Sequence, residues 1–415
     1  SNEIFINGQK IFANFLKPFT PSLKSNKKST RNLNGLNLIK LNSPLISKYK
    51  LTGKNYKVGI VDGGATFKHY EFSNNNRIKY SQTTTTNNHS THVAGTVAAF
   101  GYNKSAKGCA PECSIYSYTF NDHISNLTTC ASSNINVTNN SYGFTLGWDG
   151  DIFTGTTYEY YMTNYKNKII EEPFFGQYSI YSQELDIISK NYPKFVMCFA
   201  AGNDRSDSFS GSNTWYIYSN NGSLISMDTS KYPPPKNDGP FDCIDTLACA
   251  KNVITVGATI DTSMTTTNFS SWGPTDDLRI KPDVVANGES VFSTSNAGYK
   301  KYATMSGTSM ATPFVSGCSI LIQQFINEQL GYDPTSATVK LCLIHPLTNT
   351  SINGKNGYGL VNMEQTIGYL EKVLQKSAVL LDSNEVKMYT INNLKNQNIN
   401  ITLVYTDEEG DINGL

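Results

Sequence analysis

Gly307-Thr308-Ser309-Met310-Ala311-Thr312-Pro313 runs directly into Phe314, Val315, Cys318, Ile320, Leu321, Ile322, Phe325 and Ile326, an apolar stretch with helical spacing. A serine is thereby presented at a helix start. The first N–H groups of a helix have no intrahelical acceptor and lie at the positive end of its dipole, so an anion forming beside Ser309 would be stabilised. Pro313 reads as a first-turn residue, where a missing N–H costs nothing. Taken alone, Gly-Thr-Ser is equally an ordinary helix cap. The decision rests on partners elsewhere in the chain.

Those partners come from strand ends. Residues 57–61 make a short apolar run that stops at Asp62-Gly63-Gly64. This reads as a buried parallel strand with a carboxylate at its carboxyl end, where open α/β sheets place their ligands. Further on, His89-Ser90-Thr91-His92-Val93-Ala94-Gly95-Thr96 leads into a small-residue helix able to pack close to a sheet. His92 lies inside the helical run and is taken as the working histidine. His89 lies ahead of it and reads as exposed and structural or incidental. Zinc is the competing reading of two histidines, but helix zinc sites place them at i and i+4 around a glutamate, which is missing here. The run 195–201 ends in Gly202-Asn203-Asp204, so Asn203 offers an N–H₂ donor at another strand end and Gly202 permits close backbone approach. Residues 135–143 end in Asn139-Asn140-Ser141-Tyr142-Gly143, a polar edge able to pair with an extended peptide.

Asp62, His92, Asn203 and Ser309 then supply an orienting acid, a general base, an oxyanion donor and a nucleophile. In the chain order Asp, His, Ser, the strings V-D-G-G, H-S-T-H-V-A-G-T, A-A-G-N and G-T-S-M-A-T-P resemble the four signature blocks of subtilisin-like serine proteases. The resemblance takes in S-S-W-G-P, R-I-K-P-D-V-V-A-N-G and Gly357-Tyr358-Gly359-Leu360-Val361-Asn362. It is nearest to secreted bacterial subtilases that carry a β-domain behind the catalytic one. It departs at Gly63, where the family has Ser or Thr, and at Ser90, where it has Gly; neither change removes a reacting group.

The resemblance implies a three-layer α/β fold around a mostly parallel sheet, followed by the start of a C-terminal β-sandwich. It implies a secreted serine endopeptidase acting through an acyl-enzyme on protein or peptide substrates. Ser141, Tyr142, Gly143, Ala200, Ala201 and Gly202 would line the substrate cleft. The chemistry would need no cofactor, while structural calcium is common in the family, with ligands that no string here names.

Other classes fit less well. Lys+Arg 34 against Asp+Glu 33 gives a formal net charge of +1, so a nucleic-acid or anionic-membrane role has no electrostatic footprint. No apolar stretch approaches the roughly 20 residues of a spanning helix. An α/β-hydrolase esterase needs Gly-x-Ser-x-Gly and the order Ser, acid, His. The second reading is a catalytically weak binding or scaffold protein on the same fold, which would be expected to have lost a triad member.

The 415 residues suit one large α/β domain and an appendage, expected as a monomer. The expected divisions are an N-terminal extension or pro-region remnant at 1–50, the peptidase domain at 51–375 and the start of a β-domain at 376–415. In the last, the alternating stretches 385–391 and 398–405 would be antiparallel strands. Residues 204–250 read as a loop insertion stapled by a Cys243–Cys249 disulfide, and Cys109 and Cys113 also sit where a bridge is plausible. Cys198 and Cys318 lie in apolar runs and read as buried thiols.

Overall fold

The computed structural model describes residues 3–6, 9–12, 32–73, 76–80, 85–150, 158–161, 172–209, 213–218, 224–236, 238–260, 265–347, 352–373 and 402–412. The first strands in chain order are β1 (Glu3–Ile6), β2 (Gln9–Phe12), β3 (Lys57–Asp62), β4 (Ile78–Tyr80), β5 (Ser114–Thr119), β6 (Val137–Asn140), β7 (Gly147–Gly150) and β8 (Tyr158–Tyr161). They are followed by β9 (Val196–Ala200), β10 (Thr214–Tyr218), β11 (Leu224–Asp228), β12 (Ile254–Thr259), β13 (Val284–Asn287), β14 (Val291–Thr294) and β15 (Tyr302–Met305). The α-helices are α1 (Asn32–Leu38), α2 (Pro44–Lys48), α3 (Asn88–Ala98), α4 (His123–Ser132), α5 (Ile180–Asn191), α6 (Thr308–Leu330), α7 (Ser336–Ile344) and α8 (Met363–Val373).

Seven strands form one parallel sheet in the order β13-β12-β9-β6-β3-β5-β4. Alternate residues feed two cores. Val58, Ile60, Val196 and Cys198 join α3, α6, α7 and α8 on one face, while Val61, Met197 and Phe199 meet α4 and α5 on the other. The strand order reverses beside β3, with β5 on one side and β6 on the other. That switch point sets Asp62 over the crevice at the sheet's carboxyl end. Asp283, just before β13, holds Lys281 and Lys340 at 2.8 Å each, so the buried charges of the I-K-P-D string are paired.

Helix α6 is buried from Thr308 to Ile326. Pro313 is not in its first turn: Gly307 caps the helix, so Pro313 sits in the second. It cannot donate to the Ser309 carbonyl one turn back. Ser141 Oγ donates to that carbonyl instead, at 2.9 Å.

The ends of the expected domain differ from their reading. Leu36, Ile39, Leu41 and Ile46 belong to the same core as α6, so residues from Gly35 onward are built into the domain rather than laid over it. Lys48 ties α2 to Glu371 of α8 at 2.7 Å. The expected strand at 385–391 lies outside the described residues, as do 398–401. Residues 402–405 form no strand. The segment they begin touches α5, where Gln183 donates to the Gly410 carbonyl at 2.6 Å, and the turn before β12, where Asp407 N donates to Asn252 Oδ1 at 2.8 Å.

The expected loop insertion also contains strands. β7 and β8 from the Tyr-rich stretch join β10 and β11 from 204–250 in one four-stranded sheet, order β11-β10-β8-β7. Trp148 and Trp215 are buried in it, edge to face at 5.8 Å. An aromatic pair thus supplies the packing expected of a disulfide. Cys243 and Cys249 are unbonded: the Cys243 thiol faces the Trp272 backbone and that of Cys249 the Ile244 carbonyl. All eight cysteines, Cys109 and Cys113 included, are buried free thiols. Among the described residues no helix is long and apolar enough to cross a membrane.

Candidate active site

Asp62, 2 % exposed, ends β3, and its Oδ1 accepts from Gly63 N at 2.7 Å. Helix α3 is capped by Asn87, whose side chain accepts from His89 N at 2.7 Å and Ser90 N at 3.2 Å. The cap places His89 in the first turn rather than ahead of the helix. Its Nδ1 lies 2.9 and 2.8 Å from the two Asp62 carboxylate oxygens. A carboxylate only accepts, so Nδ1 carries the proton and Nε2 is left as the acceptor. Nε2 is buried and has no hydrogen-bond partner.

His92, expected to pair with Asp62, does not. It is 0 % exposed, and its Nε2 donates to the carbonyls of Val291 at 2.9 Å and Ala303 at 3.2 Å. One turn deeper into the helix, the ring faces the β14–β15 hairpin instead of the strand ends. Burial pushes its pKa down to about 3, so it stays neutral. His89, conversely, is buried rather than exposed. The sequence held one signal for the histidine that pairs with Asp62: Asn87, a strong cap residue, starts the helix before His89 and leaves His89 at the end that meets the sheet's carboxyl edge. Ser90 is accommodated inside, its hydroxyl 3.3 Å from that of Thr66.

Ser309 is the second residue of α6, so its N–H has no intrahelical acceptor. Its Oγ donates to the Ser141 carbonyl at 3.1 Å. Ser141 follows β6, which pairs with β3 so that Asn140 stands opposite Val61. Asp62 and Ser141 are therefore neighbouring strand tips, about 5 Å apart in the hydrogen-bonding direction. Helices α3 and α6 pack on each other behind them. Asn203 follows β9, the next strand over, and its Oδ1 accepts from Thr308 N at 2.8 Å and Thr308 Oγ1 at 3.0 Å. With the oxygen held, its N–H₂ is the end of the amide left for a ligand.

A cleft opens beside Ser309, lined by Tyr142, Gly143, Phe144, Ala200, Gly202, Asp204, Asp245 and Thr308. Of the residues expected there, Tyr142, Gly143, Ala200 and Gly202 face it. Ala201 is 0 % exposed in the core behind, and Ser141 supports Ser309 instead. Phe144, Asp204, Asp245 and Thr308 escaped the sequence reading. Asp204 directly follows Asn203 and was legible as a neighbour; Phe144 and Asp245 arrive only through the tertiary fold. Burial pushes Asp245 up to about 7, against hydrogen bonds from Leu247 and Phe144 N–H, and holds Asp204 well above the usual carboxylate range. Among the described residues no group of three or more His, Cys, Asp or Glu is placed to hold a metal ion.

Residues 53–359 match the Peptidase S8 description, the Subtilase family. Subtilisin DY of Bacillus licheniformis is 28 % identical over 345 residues, covering 80 % of this chain and 96 % of that protein. The PII-type proteinase of Lactococcus lactis subsp. cremoris is 32 % identical over 126 residues, and the match spans only 6 % of its length. Among solved structures, the CspB protease of Clostridium perfringens superposes with a TM-score of 0.58 at 18 % identity, over 82 % of this chain and 97 % of that one. The prenylagaramide maturation protease PagA gives 0.55 at 18 %, over 79 % and 99 %. A family match over most of the chain agrees with the doubly covered parallel sheet and with the acid, histidine and serine at its carboxyl edge: the chain belongs to the subtilase family.

Proposed function

We propose that the protein is a serine endopeptidase whose triad is Asp62, His89 and Ser309. The observation that carries this is the Asp62–His89 pair, which leaves a buried, unpartnered Nε2 beside the strand tip that holds Ser309. Ser309 Oγ turns from the Ser141 carbonyl to His89, which takes its proton as Oγ attacks the scissile carbonyl. Asp62 keeps the imidazole in the working tautomer and stabilises the imidazolium. The Asn203 N–H₂ and the Ser309 N–H take the charge that develops on the carbonyl oxygen. His89 then returns the proton to the leaving amine, and water, activated by the same histidine, releases the acyl group.

The test is labelling with a fluorophosphonate, read by peptide mass spectrometry. Label on Ser309 that is lost in His89→Ala and kept in His92→Gln is expected. The reverse pattern, or label elsewhere in folded active protein, would overturn the assignment. We also place the enzyme outside the cell, as the resemblance implies. The eight free thiols count against that compartment, since oxidising surroundings favour disulfides, and localisation of the tagged full-length protein decides it.

A further inference from the structure

We propose that Asp204 and Asp245 make the cleft beside Ser309 a receptor for a cationic side chain, so that the enzyme cleaves after lysine or arginine. This rests on the endopeptidase reading above and names the substrate class for that site.

Both carboxylates line the cleft at 7 % and 3 % exposure. Their partners are neutral. Asp245 accepts from Leu247 N at 2.8 Å and Phe144 N at 2.6 Å, and Asp204 from Ser271 Oγ at 3.1 Å. Asp283, by contrast, is given two lysines. Arg205, next in sequence to Asp204, is turned away: its guanidinium stacks on Trp272 at 4.0 Å and donates to the carbonyls of Ser270 and Thr267. Asp238, 8 % exposed, lies nearby, and burial pushes it up to about 10, so it stays protonated and leaves the cleft carboxylates to meet a cation. Among the described residues no cation pairs with either cleft carboxylate, and the raised position of both is what an arriving cation would reverse.

The walls suit the remainder of such a side chain. Tyr142, Phe144 and Ala200 offer apolar surface for the methylene stem of Lys or Arg, while the carboxylates meet its head. Two glycines keep the path open. A Cβ at Gly143 would stand 2.5 Å from Asp245 Oδ2, and one at Gly202, whose φ is +113°, 2.6 Å from Asp204 Oδ2. Any side chain at either place would come between substrate and carboxylate.

A site built to pair a buried polar group discriminates strongly against substrates that leave it unpaired. On the full-length enzyme, a fluorogenic peptide series varying only the residue before the scissile bond should favour Arg and Lys over Leu and Phe by on the order of 10²-fold or more in kcat/KM. Asp204→Asn and Asp245→Asn should each shrink that ratio at least about tenfold. Because Asp245 also holds backbone N–H groups, a melting curve accompanies each variant, and Asp204→Asn decides if Asp245→Asn does not fold. Preference for Leu or Phe with efficient cleavage would overturn the proposal and leave the endopeptidase reading standing. Should no peptide be cleaved, that reading fails, and calorimetry on Ser309→Ala still examines the cleft. Peptides ending in Arg that bind at least tenfold tighter than those ending in Leu support the receptor; equal binding overturns it.

Discussion

The first and second turns of α3 carry the same residue and give it opposite work. His89, at the helix start, meets a carboxylate on one ring nitrogen and nothing on the other. His92, one turn on, is fully enclosed and bonded to two backbone carbonyls. Residue type and helical spacing are shared, so neither decides function. What decides it is which turn reaches the carboxyl edge of the sheet. Each ring leaves one buried nitrogen unpartnered, Nε2 in His89 and Nδ1 in His92, so the difference lies in the bonded nitrogen: that of His89 meets the Asp62 carboxylate, that of His92 two backbone carbonyls of the β14–β15 hairpin.

The sharpest way to break this comparison is to remove each ring in turn. His89→Ala should lower kcat by on the order of 10⁶, the scale set by loss of the triad histidine in subtilisin, with melting little changed. Steady-state kinetics on a peptide substrate reads it. A folded His89→Ala enzyme with near-normal turnover, beside an inert folded His92→Gln enzyme, would exchange the two roles.

Asn203→Ala extends the comparison to the other side of the reacting carbonyl. Its N–H₂ gains most once charge develops on the oxygen, so kcat should fall 10²–10³-fold with KM nearly constant. The magnitude is that of a lost oxyanion donor in subtilisin. Because Asn203 Oδ1 also accepts from Thr308, a small drop in melting temperature should accompany it. A large drop with kcat preserved would make Asn203 a helix anchor only.

His92→Gln should act on stability instead, costing about 1–3 kcal/mol by leaving one or both carbonyls without a donor. The cost carries a pH signature. Unfolded, the imidazole titrates near 6.5; folded, it stays neutral down to about 3. Between those values the unfolded chain holds the extra proton, so His92 makes the native protein lose stability as pH falls through this window. Glutamine removes that term. Denaturant melts should therefore show the difference between native protein and variant shrinking from pH 7 toward pH 4. A constant difference would mean that His92 is not held neutral.

These outcomes also mark what a linear reading can reach. The strand ending at Asp62, the helix from Ser309 and the A-A-G-N edge were legible because apolar period and small residues are local properties. The choice between His89 and His92 was not, since it depends on how far α3 advances before crossing the sheet. Asp245 reaches the cleft from a turn that pairs with Phe144 across a long stretch of intervening chain. The four-stranded sheet around Trp148 and Trp215 joins two separate insertions, each of which looks like loop in isolation. Pairing between distant segments is invisible to periodicity.

Pro313 offers the finest test, because its reading was local and the answer was not. In the second turn of α6 it deprives the Ser309 carbonyl of its helical partner, and Ser141 Oγ supplies the missing bond at 2.9 Å. The Ser141 carbonyl in turn accepts from Ser309 Oγ, so one residue steadies both ends of Ser309. Ser141→Ala should cost about 1–2 kcal/mol, the penalty for a buried carbonyl left unpaired. Pro313→Ala restores an N–H that can reach the same carbonyl along the helix. In the Ser141→Ala background it should therefore recover part of the loss, which it cannot do where Ser141 already holds the carbonyl. A double-mutant cycle by thermal melting reads the coupling directly. A coupling near zero would show that Ser141 does not stand in for the hydrogen bond that Pro313 removes.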